Sequence, residues 1–199
     1  MAMVGRYDEA RGEMEEARAG FADLRLDLMA AYLALLVALA EMLAGDPVAA
    51  ERAVHDAEAM VSGPGDRWYQ GMVNVDLAQT LIAQGREGDA IAMVERIDAV
   101  PAPCDCEWAI KRNLARAWVA GRAGDHAGAL AEAQAAATAA ERTSLVIVRA
   151  DAQRALARAL RGAGRSDEAA AALRAALALD ERKGNLVAAA ATRRQLDEL

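Results

Sequence analysis

At 199 residues the chain can build a sizeable core without disulfide or metal support. A net charge of −7 and a pI near 5 argue against general affinity for nucleic acid or an anionic membrane, both of which need a basic surface. The chain is 55% hydrophobic yet 4% aromatic, and roughly a quarter of it is alanine, the strongest helix former, so an all-α fold of closely packed helices is expected.

Residues 1–12 lack the apolar core of a signal peptide. A first helix is expected over about 6–19, followed by a pair over 23–44 and 46–61. Within that pair, Leu28 to Ala40 is an apolar run of thirteen residues bounded by Asp27 and Glu41, too short to span a bilayer and read as a buried helix. The break SGPGD (62–66) precedes a pair over 67–84 and 86–98. The break VPAPCD (100–105) carries Cys104, with Cys106 just beyond it. A bridge between these two would close too small a ring to stabilise much, and free thiols suit a reducing cytosol, so a cytoplasmic location is expected. Pairs over 105–122 with 125–141 and 145–162 with 165–181 come next. A last helix, about 185–198, starts where Gly184 can close one helix and Asn185 cap the following one.

A repeat underlies this order. Gly5, Gly45, Gly85, Gly124 and Gly164 are spaced by 40, 40, 39 and 40 residues, and each opens a similar phrase: GRYDEA, GDPVAA, GREGDA, GDHAGA, GRSDEA. Alanine stands five after each glycine, at Ala10, Ala50, Ala90, Ala129 and Ala169. It also stands seven before the last four, at Ala38, Ala78, Ala117 and Ala157. Glycine ends one helix in the left-handed region, and the small residues on either side let two antiparallel helices cross closely. The reading is one domain, 1–199: a half-repeat 1–22, repeats of about 23–62, 63–102, 103–142 and 143–182, and a terminal helix 183–199. With about ten helices and ~40-residue repeats, the expected architecture is a right-handed superhelical stack of antiparallel helix pairs.

Glycine with alanine at minus seven, plus five and plus twelve resembles the tetratricopeptide repeat, stretched from the usual 34 residues to about 40. The phrases GRYDEAR, LLAGDPVAAER, GDRWY, LAQTLIAQGREGDAI, GRSDEAAAALRAALALDERKGN and LVAAAATRRQLDEL are similar to one setting in particular. They resemble the C-terminal repeat region of large bacterial, especially actinobacterial, signalling proteins. Such proteins join a class III adenylate/guanylate cyclase or a DNA-binding domain to a nucleotide-binding ATPase module. The likeness covers essentially the whole chain; Cys104-Asp105-Cys106 departs from it, and no cyclase or ATPase part is present. It implies a regulatory or interaction role, with a chain that is a fragment or a truncated relative.

Catalytic chemistry has no visible machinery. The phrase from Gly162 to Ser166 lacks the spacing and lysine of a phosphate loop. His55 and His126 sit on different repeats without metal-ligand spacing, and the Cys104/Cys106 pair has no nearby completing ligands. Carboxylates fall on helix faces, often near arginine, as Asp151 does near Arg154, and read as solvated pairs. No enzyme activity, cofactor or metal is expected.

The first helix of each pair is expected to line a concave groove, the usual partner surface of such stacks. One face of these helices carries Tyr32, Leu35, Leu39 and Met42, then Met72, Val75, Gln79 and Ile82. It continues with Lys111, Leu114, Trp118 and Gly121, then Asp151, Arg154, Arg158 and Arg161. The groove therefore changes from apolar to basic along its length. The expected occupant is a protein or peptide segment bearing acidic residues, or a covalently linked ATPase or cyclase domain of a parent chain. Homodimerisation through the helix at 23–44 can coexist with this, while nucleic-acid and membrane partners are not expected. The alternative is a small-ligand sensor, with Trp68, Tyr69, Trp118 and the arginine row lining an interior site. Ala34, Asn74, Asn113 and Gln153 are placed on the packed face, the amides bonding to inter-repeat turns.

Overall fold

The computed structural model describes residues 1–61, 67–98 and 106–199, the side chains of Arg67 and Cys106 aside. Within them a short 3-10 turn, Ala2–Val4, precedes ten α-helices: α1 Tyr7–Asp23, α2 Asp27–Ala44, α3 Pro47–Met60, α4 Arg67–Ala83, α5 Glu87–Asp98, α6 Cys106–Arg122, α7 His126–Glu141, α8 Val146–Gly162, α9 Ser166–Lys183 and α10 Leu186–Asp197. No strand occurs among the described residues, and the fold is all-α and helical-repeat-like. The call on Cys104 falls outside the described residues, as does that on the side chain of Cys106.

All five repeat glycines adopt the left-handed conformation, with φ between 71° and 81°, and Gly184 does so at 75°. At Gly45 the amide donates to Met42 O while the next amide, Asp46 N, donates to Glu41 O, so the orphan carbonyls of α2 are satisfied as the chain reverses. Helix starts alternate between two devices. Asp46 and Asp125 cap α3 and α7 with their carboxylates, accepting from Ala49 N and Gly128 N at 2.8 Å each. At α1, α5 and α9 an arginine follows the glycine instead and pairs with an acid three residues on: Arg6 with Glu9, Arg86 with Asp89, Arg165 with Glu168.

One helix differs from the sequence reading. α1 continues through Gly20 to Asp23, and the turn is made by Arg25 in the left-handed region at φ 53°, with Leu26 N donating to Phe21 O at 2.9 Å. Asparagine or glycine would be the ordinary occupant of that position, so the stop carries no sequence signal.

The chain divides into two compact units, 1–103 and 104–199. In the first, α2 packs on α1, α3 and α4, and α4 on α3 and α5. Ala31, Ala50, Val54, Ala57, Val75, Ala78, Ala90 and Ile97 are fully enclosed or nearly so. α2 is apolar and, at 18 residues, long enough by composition to cross a membrane, with mean hydropathy 1.8, yet nearly half of it is buried inside its own unit. Its buried Glu41 receives two hydrogen bonds of 2.7 Å from Arg11 of α1. In the second unit α6 pairs with α7 and α8 with α9; α6 also touches α8, and α10 closes on α9. Its interior is built largely of alanine: Ala133, Ala136, Ala150, Ala152, Ala169, Ala176 and Ala189 are inaccessible to solvent, with Trp108 and Ile110 as the large members.

Candidate functional site

The side chains expected to line the partner surface fall in different surroundings. On α2, Tyr32 is exposed, Leu39 half-buried and Leu35 buried. On α4, Met72 and Val75 lie in the interior of the first unit, and Gln79 is half-buried. Residues at minus thirteen and minus ten from Gly85 thus face the core, because α4 packs against three helices, α2, α3 and α5. What α2 does expose is a stripe of Leu28, Met29, Tyr32 and Leu36. Asn74, Asn113 and Gln153 are half-buried, and none forms a side-chain hydrogen bond among the described residues, so the expected bonds to inter-repeat turns are absent there. Trp68 and Tyr69 pack edge to face at 4.8 Å in the first unit; Trp118 belongs to the second.

In the second unit the row converges. Trp118 and Gly121 of α6, with Arg158 and Arg161 of α8, border one cleft of about 530 Å³. Arg122, His126, Ala129, Ala155, Ala159 and Gly162 complete its lining. Among the described residues, no aspartate or glutamate lines it. Its small walls leave the space: a Cβ at Gly162 would stand 3.1 Å from His126 Nδ1, and one at Gly121 would stand 3.8 Å from Ala129 Cβ. Arg122 and His126 were not anticipated, because the sequence reading followed one face of the first helix of each pair. Arg122 lies on the flank of that face and His126 opens the second helix. A visible signal existed: Arg122 and Gly162 both stand two before their repeat glycine, where a cleft at the helix ends would draw on them.

The arginine row itself is split in function. Arg154 Nη1 donates to Asp180 Oδ2 at 2.6 Å and to Thr192 Oγ1 at 3.3 Å, while Nη2 donates to Asp151 at 2.5 Å. The expected solvated pair Asp151–Arg154 is therefore part of an internal network that ties α8 to α9 and α10. Burial works against the Arg154 charge, but Asp151 and Asp180 outweigh it and raise its pKa. At Asp180, only 1% exposed, burial dominates over Arg154 and Thr192 and lifts the carboxyl above its ordinary value. Lys111 likewise pairs with Glu107 at 3.4 Å, and Arg112 lies over the Trp108 ring at 5.1 Å.

Arg158 and Arg161 have no such engagement: among the described residues neither forms an ion pair or a side-chain hydrogen bond. Arg158 is exposed as a residue, yet protein crowds around its guanidinium. That loss of water, with the charges of Arg161 and Arg154 close by, pushes its pKa below the usual arginine value. The nearby carboxylates are engaged elsewhere, Asp125 on Gly128 N, Asp151 on Arg154 and Glu132 with Arg116 at 3.8 Å. Arg158 and Arg161 thus bring positive charge to the cleft without an ion pair among the described residues, within an acidic chain. The cleft offers guanidinium donors, an indole and a histidine, a set that binds anions.

No protein-family model matches the chain, and no curated protein is significantly similar to it.

Proposed function

We propose that the chain is a non-catalytic helical-repeat module whose second unit docks an acidic segment in the cleft among α6, α7 and α8. The segment belongs to a protein partner or to a linked ATPase or cyclase domain, in line with the resemblance to bacterial signalling proteins, and its capture biases the state of that domain. The observation that carries the reading is the pair Arg158 and Arg161. Both border one cleft with Trp118, and neither forms an ion pair with a carboxylate among the described residues. Guanidinium groups held without partners gain charge-assisted, bidentate hydrogen bonds when a carboxylate arrives. Arg154 takes no part in this docking, being committed to Asp180.

The test is fluorescence anisotropy of a labelled peptide alternating Glu or Asp with Leu, against the same peptide carrying Lys in place of its acids. Saturable binding of the acidic peptide is expected, weakening with added salt and falling at least tenfold in an Arg158→Glu, Arg161→Glu variant. Equal binding of both peptides, or an unaffected variant, would sink the reading.

A second reading, a sensor for a small anionic effector, is favoured by the cleft's volume, which lies within the range of small-molecule sites. It predicts that a compact ligand protects the second unit from heat with no peptide present.

A further inference from the structure

The cleft's charge and shape specify more than a preference for acid. Taking the docking reading as its basis, we infer that the cleft is a site for a phosphate monoester: the doubly charged phosphate sits between Arg158 and Arg161, and the group that carries it lies against Trp118.

Three features point this way. First, Arg158 and Arg161 stand three apart on one helix, so their side chains rise as neighbours from one face. Burial, and after it the charge of Arg161, lowers the proton affinity of Arg158. Crowded cations of this kind are relieved more by one dianion than by one carboxylate, since a carboxylate satisfies a single guanidinium whereas three phosphate oxygens can span two. Second, His126 adds a further polar group to the lining, and no aspartate or glutamate is among the described residues that line the cleft. Third, at about 530 Å³ the space exceeds what a bare phosphate fills. Gly121, Gly162, Ala155 and Ala159 keep it open, and the Trp118 indole offers an apolar face to the remainder of the ligand. An extended polyanion such as nucleic acid is disfavoured by the net charge of −7, which repels the phosphates beyond the cleft.

The monoester can come from a phosphorylated side chain of the docked segment or from a free small phosphate, and calorimetry of the intact chain in phosphate-free buffer separates the two. The probes are a phosphoserine nonapeptide, the same peptide with Ser or Glu at that position, adenosine monophosphate, and inorganic phosphate. The phosphoserine peptide is expected to bind at least tenfold more tightly than the Glu peptide. In an Arg158→Gln, Arg161→Gln variant that difference should vanish while the helical circular dichroism and melting temperature stay at wild-type values. An Arg165→Gln variant, altered outside the cleft, should retain it. Equal affinity for the phosphoserine and Glu peptides overturns the phosphate inference and leaves acidic docking standing. Binding of the phosphate probes with no affinity for the Glu peptide does the reverse. Absence of binding by every probe overturns both.

Discussion

Arg154 of α8 meets Asp180 of α9 at 2.6 Å, and the carboxylate it meets is almost wholly enclosed. The buried acid is held by one cation, so removing the cation is expected to be far worse than removing both. Arg154→Met should destabilise the chain by about 3–5 kcal/mol because Asp180 is left charged and unpaired, and Arg154→Met with Asp180→Leu should recover most of that loss. Chemical denaturation of the single and double variants checks it, and additive losses would contradict it.

The same pair has a pH signature. Asp180 binds its proton more tightly folded than unfolded, since burial lifts its pKa more than Arg154 and Thr192 lower it. Folding at this residue is therefore helped as pH falls toward the ordinary aspartate value of about 4. Taking away Arg154 removes a downward influence and raises the folded value further. The deficit of Arg154→Met relative to wild type, measured at each pH by denaturation, is expected to narrow between neutrality and about pH 5. A deficit constant with pH would assign the loss to packing instead.

Arg11 and Glu41 pin α1 onto α2, aided by Tyr7, whose hydroxyl donates to Leu43 O at 2.8 Å. The apolar packing of α1 is small: Ala10 is its only buried residue, with Tyr7 and Met14 packed beside it against Ala40 and Leu43. Arg11→Met should speed amide exchange across α1 and around Glu41, while α9 and α10 in the second unit keep their protection. Hydrogen exchange resolved by peptide reads this directly; uniform acceleration through the chain would show that α1 is not a separable element.

Gly128 presents an apparent obstacle to substitution, since a Cβ there would come within 2.1 Å of Asp125 Oδ2. The equivalent position after Asp46 is Ala49, whose Cβ coexists with the same 2.8 Å capping bond. A rotation of the Asp125 side chain is therefore sufficient. Gly128→Ala is expected to stabilise by about 0.5–1 kcal/mol, the usual gain for replacing glycine inside a helix, and to raise the melting temperature. A lowered melting temperature would mean that Asp125 cannot adopt the arrangement seen at Asp46.

The helices were readable because glycine and alanine recur at fixed offsets and each offset has a physical role. The glycine expectation holds at all five junctions, down to the left-handed conformation. Arg25 was not readable, because a non-glycine residue in that conformation is imposed by the surrounding turn. Of the candidate partner surface, Trp118, Arg158 and Arg161 border one cleft; Trp118 and Arg158 each stand six before their repeat glycine, and Arg161 stands three before its own. The burial of Leu35, Met72 and Val75 was hidden, because apolar residues at helical spacing look alike whether they face a groove or a neighbouring helix. The fate of Arg154 was hidden as well: its partner Asp180 lies 26 residues away and is recognised only once α9 folds back.

More than half of the buried apolar residues described are alanine, and this inverts the usual logic of mutational mapping. Truncation to alanine, the common way to find which side chains matter, is silent at positions that are alanine already. Here the informative change is enlargement. Ala136→Leu, at a site with no solvent access, should cost about 1–3 kcal/mol by forcing α6, α7 and α8 apart. The fold is thus guarded by an upper limit on size at each crossing, a constraint visible only to substitutions that add atoms.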